Sequence, residues 1–395
     1  MPWKESDTVS ERMKFVSRLL EGERMTEVCR EFGISRKTGY KIFERYKADG
    51  LSGLLDQSRA ARSRPNQTPS SVVDAILRVR ASHPTWGAPK IKDYLERKHP
   101  TSAIPAQSTI HMILQRNDMV KGRRRRKDHY RSKGTKIDSP KSPNELWCTD
   151  FKGQFKLGNG DYCYPLTISD RYSRYVIACE GMEAIEESEC IRIFDDVFSE
   201  YGLPKAILSD NGVPFASKSL FGMSKLSVRW LRLGIAIQRI RPGHPEENGS
   251  HERMHRTLKA ETARPPGQNI LIQQEIFDSF RTTFNNERPH QALSGKPPVE
   301  VYKASDRRHE PILPDLEYPD DDYTAIVSNC GSISAQRHRV YIGVPFAGQP
   351  VGVTRIDDSI WRVRFMSYDL GFFDNENHKI QIPENPFLKT NQRTT

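Results

Sequence analysis

The sequence predicts a multidomain protein: all-α helix-turn-helix units, then an α/β sandwich with a mixed central sheet, then a small β-barrel. Three observations lead there. Apolar residues recur at helical spacing, with turn residues between them, over the first 120 positions. Near residue 144 the pattern changes to three short strands followed by helices alternating with strands. After residue 323 the chain becomes a series of short strand-like runs separated by glycine-containing turns.

Residues 1–57 read as a helix-turn-helix domain. Met13, Val16 and Leu20 keep helical spacing, and Met25, Val28, Cys29 and Phe32 mark a second helix. Gly33 supplies the turn and Ser35 the N-cap of a third helix. That helix carries Arg36, Lys37, Tyr40 and Lys41 at its start, where a recognition helix meets the major groove, while Ile42 and Phe43 face inward. The polar, basic stretch 58–67 is a linker. Residues 68–120 form a second helix-turn-helix-like domain, striped by Val72, Val73, Ile76, Leu77 and Val79, then Ile91, Tyr94 and Leu95, then Ile110, Met112, Ile113 and Leu114. Residues 121–143 are a basic linker in which Arg123, Arg124, Arg125 and Arg126 are consecutive. Such a run packs no core, and it suits phosphate neutralisation with counterion release.

From 144 to 305 strands are expected at 145–156, 162–169, 173–180 and 235–240, with one more ending at Asp210. Helices are expected near 187–201 and 223–233, at Glu252, and over 270–286. This is the element order of a ribonuclease-H-like fold. Residues 306–322, with Glu310, Asp315, Glu317, Asp320, Asp321, Asp322 and several prolines, read as an acidic linker, and 323–385 as the barrel.

Three acids in the central domain carry chemistry. Asp150 lies in an apolar strand, Asp210 ends a second strand before the turn pair Asn211-Gly212, and Glu252 opens a helix. Hard oxygen ligands suit Mg²⁺ or Mn²⁺, and three converging carboxylates repel one another unless divalent cations lie among them. Two ions per site would serve an in-line displacement at a DNA phosphodiester. Glu252, His255, Arg256 and Lys259 share one helix face by spacing, with Met254 and Leu258 free to bury. Arg256 and Lys259 are then placed to reach neighbouring phosphates. Read singly, each acid also suits an ordinary turn or a solvated helix.

These motifs resemble those of a bacterial insertion-sequence transposase of the retroviral-integrase superfamily, the DDE type. Trp147-Cys-Thr-Asp-Phe-Lys152 is similar to the family's first-aspartate strand and Ser209-Asp-Asn-Gly212 to its second. Pro242-Gly-His-Pro-Glu-Glu-Asn-Gly-Ser-His-Glu-Arg253 resembles the glutamate segment, and Asn285-Asn-Glu-Arg-Pro-His-Gln-Ala-Leu293 the closing motif. The resemblance implies that Asp150, Asp210 and Glu252 are catalytic metal ligands and that Lys259 contacts the element's end. It also implies terminal-repeat and target DNA as partners, and a homo-oligomer of two or more subunits. The stretch Phe215 to Arg232 is longer than the family norm and reads as an inserted loop-helix. No His/Cys unit stands at the N-terminus, so zinc is not expected.

The net charge of +11 points to a polyanionic partner. No run approaches the ~20 apolar residues of a membrane span, and the N-terminus lacks a signal-peptide core. Six cysteines, never in a C-x-x-C pair, fit a reducing interior. A cytoplasmic, nucleoid-associated protein is expected. The alternatives are a non-catalytic DNA-binding regulator and, less favoured because the helix-turn-helix units suit duplex DNA, a ribonuclease acting on RNA–DNA hybrid.

Overall fold

A computed structural model of the chain describes residues 7–56, 67–120, 140–151, 153–217, 219–241, 244–310, 312–313, 315–335, 338–374 and 379–383. The chain divides into two units, Met1–Gln67 and Thr68–Thr395. In the first, α1 (Thr8–Leu20), α2 (Met25–Glu31) and α3 (Arg36–Asp49) enclose Phe15, Val16, Val28, Cys29 and Leu54. Ser35 caps α3 by accepting from the Thr38 amide at 3.1 Å. Gly39 lets α3 approach α2, because a Cβ there would lie 2.4 Å from Cys29 Sγ. The expected stripe on α1 is corrected. Met13 and Leu20 are 46% and 61% exposed, and the helix is instead rotated to bury Phe15 beside Val16, which removes a full aromatic ring from water.

The second unit opens with α4 (Ser70–Ser82), α5 (Ala88–Lys98) and α6 (Gln107–Arg116). Ile76, Ile91 and Ile110 are buried with Trp86, on which His83 stacks at 3.8 Å. Met112, counted into the apolar stripe, is exposed. This helical module is tied to the following α/β core. Thr85 donates to Glu261 at 2.5 Å, and Arg97 lies 3.7 Å from Glu300.

The core comprises β1 (Leu146–Phe151), β2 (Phe155–Lys156), β3 (Tyr162–Asp170), β4 (Val176–Met182), α7 (Glu187–Tyr201), β5 (Ala206–Ser209), α8 (Lys225–Arg232), β6 (Ala236–Arg239), α9 (Gly249–Thr262) and α10 (Ile270–Asn286). The expected strand 145–156 is broken into β1 and β2 around Gly153, whose φ of +82° no extended strand accommodates. The sheet is mixed: β3 pairs antiparallel with β1, β2 and β4, while β1–β5 and β5–β6 are parallel. On one face Trp147, Leu166 and Ile207 pack with Phe194, Phe198 and Trp230 of α7 and α8. On the other, Cys163, Val176 and Cys179 meet Met254 and Leu258 of α9 and Phe277, Phe280 and Phe284 of α10. This is the two-sided sandwich around a mixed sheet that the element order predicts. The Phe215–Arg232 stretch is not peripheral. α8 buries Leu226, Val228, Trp230 and Leu231, and Arg229 binds Asp195 of α7 with two bonds of 2.8 Å.

The C-terminal strands are β7 (Tyr323–Ile326), β8 (Ser332–Ala335), β9 (His338–Tyr341), β10 (Pro350–Arg355), β11 (Ile360–Phe365), β12 (Tyr368–Asp374) and β13 (Lys379–Gln381). Among the described residues they do not close into the expected barrel. Five form an open antiparallel sheet, in the order β13-β12-β11-β10-β7, and β8-β9 is a separate hairpin. The chain leaves the sheet after β7 through a turn in which Ser328 donates to the Ser332 carbonyl at 2.7 Å. The hairpin's Ile333 and Val340 then join one apolar cluster with Val351, Val363 and Phe365. No helix of the described residues is long and apolar enough to cross a membrane.

The acidic segment 306–322 is packed rather than a free linker. Arg307 donates to the carbonyls of Pro204, Leu233 and Gly234. The Asp321 side chain is fully buried, 2.5 Å from Arg364 and also bonded to Thr354. Asp321→Ala strands Arg364 with less than a third of its side chain exposed and leaves Arg362 only Asp369, 3.7 Å away. The variant is expected to lose about 2–3 kcal/mol in denaturant unfolding, somewhat below the cost of breaking a wholly buried pair.

Candidate active site

The first two acids are brought together by strand register. β1 and β5 run parallel with Cys148 opposite Leu208. Asp150 and Asp210 each lie two residues beyond this last pair, which by the period of two puts them on the same face of neighbouring strands. Both are half-buried. Asp210 Oδ1 accepts from the Gly212 amide at 3.0 Å, and Asn211 donates to the Ile240 carbonyl at 2.8 Å, tying this turn to the end of β6. Burial raises the Asp210 carboxyl above the ordinary aspartate range, and the Gly212 bond only partly opposes that.

α9 supplies the next groups. Its approach is fixed by Glu247, which accepts from the Arg241 side chain at 2.7 Å and its amide at 2.9 Å, while Arg171 donates to the Glu247 carbonyl at 2.8 Å. His251 and His255, one turn apart, are buried against β3. Thr167 Oγ1 lies 2.8 Å from His251 Nε2, 2.6 Å from His255 Nε2 and 3.0 Å from the Asp150 carbonyl. Its hydroxyl donates to that carbonyl, and the Nε2 atoms of both imidazoles lie within hydrogen-bond distance of the same oxygen. Ser169 closes the chain at His251 Nδ1, 2.7 Å away. His255 Nδ1 stands 3.7 Å from Asp150 Oδ2.

Glu252, Arg256 and Lys259 share the exposed side of α9. His255, expected with them, is instead in the interior, since the helix turns Met254, His255 and Leu258 towards the sheet and α10. Glu252 is thus one turn from the residue that touches Asp150. Among the described residues, no three His, Cys, Asp or Glu side chains stand close enough to share an ion. Asp150 and Asp210 nevertheless suit a hard divalent cation in chemistry: both are oxygen donors, and both are half-buried. In the first unit Arg36, Lys37, Tyr40 and Lys41 are all exposed along α3. Arg123, Arg124, Arg125 and Arg126 lie outside the described residues. Sequence reasoning missed the His251–Thr167–His255 cluster and the Glu247 anchor. The only signal was the His pair at i, i+4 flanking Glu252.

Comparison with known proteins follows this geometry. Models described as integrase core domain match residues 140–245 and 233–298. A helix-turn-helix domain model matches 11–62 and a homeodomain-like domain model 38–114. The uncharacterized 39.2 kDa protein of insertion element IS476 from Xanthomonas euvesicatoria is 22% identical over 71% of this chain and 79% of its own length. The uncharacterized 31.7 kDa protein of insertion element IS407 from Burkholderia multivorans is 24% identical over 48% and 67%. The Gag-Pol polyprotein of avian reticuloendotheliosis virus is 32% identical over 40% of this chain and 14% of its own. The HTLV-2 integrase catalytic core domain, solved in complex with magnesium, aligns with 41% of this chain and 99% of that one at 18% identity, with a TM-score of 0.33.

The raised Asp210 carboxyl has a stability consequence. A folded-state value above the unfolded one favours the native state while the group is protonated, and that contribution is lost as pH rises through the folded value. Above it, the native state carries a desolvated charge. Asp210→Asn is therefore expected to melt higher than the wild type at neutral pH, the gap closing as pH falls to about 3, below the ordinary aspartate value. Calorimetry with added Mg²⁺ is expected to raise the wild-type transition and leave that of the variant in place.

Proposed function

We propose that this chain, an integrase-core protein with the helix-turn-helix domains of a bacterial insertion-sequence DDE transposase, binds its element's terminal inverted repeats and cuts and joins DNA there. The observation that carries this reading is the register of Asp150 and Asp210 at the ends of adjacent parallel strands, with α9 packed beside them. Asp150, Asp210 and Glu252 are the metal ligands and catalytic acids, holding Mg²⁺ or Mn²⁺, two ions per site and no zinc. The bound cations supply Lewis acidity at the scissile phosphodiester. His255 positions Asp150, and Thr167 holds both His255 and the Asp150 backbone.

The exposed Arg256 and Lys259 lie along the helix from Glu252 and suit the phosphates flanking the reacting one. Arg36, Lys37, Tyr40 and Lys41 read the major groove, and Arg123 to Arg126 hold backbone without sequence preference. Hydrolysis breaks a phosphodiester and frees a 3′-hydroxyl. That hydroxyl then attacks a phosphodiester of target DNA, so one bond forms as another breaks and no protein–DNA covalent bond is needed. Two element ends must be held together, which calls for a homo-oligomer on DNA, in the bacterial cytoplasm at the nucleoid.

The second reading, a DNA-binding regulator without catalysis, is favoured by one observation: Glu252 belongs to no three-ligand group in this structure. A gel assay on duplexes cut from the ends of the element separates the two. Mg²⁺-dependent joined products from the wild type support the transposase. Retarded DNA with no product at any Mg²⁺ or Mn²⁺ concentration supports the regulator. Asp150→Asn and Asp210→Asn are expected to bind DNA and join none. His255→Ala, which removes the support of a ligand together with a buried contact to Thr167, is expected to lose roughly 10–100-fold in joining rate.

A further inference from the structure

α9 has a second basic flank. Successive residues on a helix are turned by about 100°. Glu252 and Lys259 therefore point to one side of α9, whereas Ser250, Arg253 and Thr257 point to the other. On that second side two clefts of about 470 and 590 Å³ adjoin, sharing Arg174, Ser250, Arg253 and Ala292. The first is walled by Thr85 of the α4–α5 turn, by Lys90 in the first turn of α5, and by Arg288 beyond α10. The second continues past Arg171 to Lys296.

The charge of this groove is one-sided. Apart from Arg256, which turns towards the Glu252 side of α9, its lining holds six cationic side chains, from Lys90 to Lys296, and one acid, Asp170. That acid is already occupied, because its oxygens accept from the Asn144 amide at 2.8 Å and from the Ser173 amide and hydroxyl at 2.7 and 2.6 Å. Arg288 is held by Glu261 at 3.1 Å. Among the described residues no carboxylate stands within ion-pair distance of Lys90, Arg171, Arg174, Arg253 or Lys296. Burial and the neighbouring Arg288 lower Lys90 to about 8, and burial and Arg171 likewise lower Arg174. Lys90, Arg171 and Arg174 are half-buried without a carboxylate partner, which is costly unless an anion joins them, while Arg253 and Lys296 are exposed and free to meet one.

A single small anion would satisfy one end only, because the cations are spread through both clefts and are contributed jointly by the helical module and the core. A polymer carrying one negative charge per phosphate matches that spread. We propose that this groove is a second DNA track, taking the phosphate backbone of duplex brought by the α4–α6 module along the flank of α9 opposite Glu252. The proposal rests on the transposase reading but concerns binding, not the carboxylate chemistry.

The test uses the full chain and a fluorescent random-sequence duplex, with affinity measured across a salt series. Each of Lys90→Gln, Arg174→Gln and Lys296→Gln is expected to reduce the slope of log affinity against log salt by about 0.9 for each phosphate left without its cation. Arg174→Lys, which keeps the charge, is expected to retain the slope. So is Arg192→Gln on α7, where the arginine is paired with Glu189 and Asp196. Unchanged slopes in the three folded variants, with melting curves like the wild type, overturn the track. Calorimetric binding of inorganic phosphate that these variants lose while their DNA slopes stay unchanged makes the groove a small-anion site and likewise overturns it. A wild type that binds no duplex sinks both this proposal and the transposase reading. A wild type that binds and joins DNA, with groove variants indistinguishable from it, sinks this proposal alone.

Discussion

The parallel pairing of β1 with β5 is the contact on which the site depends. A side chain's face changes with every step along a strand, so a one-residue slip would send Asp150 and Asp210 to opposite sides of the sheet. Burial on both faces opposes that slip. Trp147 and Ile207 are directly opposite each other and enter the core beneath α7 and α8. Leu146, Cys148, Ala206 and Leu208 form a second cluster on the other face. The entry to β1 is pinned as well: Trp147 donates to Asn144 at 3.0 Å, and the Asn144 amide donates to Asp170 at 2.8 Å. Asp170 is itself an acid in a strand of this sheet, but every bond it makes serves a turn, which marks it as structural.

Given that register, the rotation of α9 decides what else reaches the pair. Met254 and Leu258 lock one stripe of the helix into the phenylalanines of α10, and the two histidines lock the next into Thr167 and Ser169. Glu252 then falls at the border between the buried stripe and solvent, with Arg256 and Lys259 on its own side and Arg253 on the other. α10 is held in turn by Asn285, whose side chain exchanges two bonds of 2.8 Å with the Val176 backbone of β4. The closing motif read in the sequence is thus a clamp between the last core helix and an edge strand.

Local signals were legible and long-range pairings were not. The span of α7, the Ser35 cap and the core helices followed from apolar period and capping chemistry, which need only neighbours in sequence. The apolar runs also located Asp150 within a strand and Asp210 at the end of another. The alignment of Asp150 with Asp210 is a property of pairing across an intervening hairpin and helix, and no local pattern encodes it. The same limit explains the errors. Asp321 reads as solvated because its arginine partners lie on a later strand, and His255 reads as exposed because Thr167 lies far upstream. The C-terminal strands were countable, but closure depends on whether the edge strands meet, and the hairpin of β8 and β9 turns out of the sheet first.

The net charge of +11 is a further case in which composition is a poor guide to placement. Several of the arginines it counts are internal fasteners. Arg229 is spent on Asp195, Arg364 on Asp321, Arg241 on Glu247, and Arg307 on three carbonyls. These are bound to partners within the fold, and their charge is largely cancelled where it lies. Among the described residues, cations without a carboxylate partner include Arg36, Lys37 and Lys41 at the start of α3 and Arg253, Arg256 and Lys259 on α9. An excess of charge spread evenly over a surface gives a weak, directionless attraction. Grouped on two sides of one helix, as on α9, it directs the attraction along that helix.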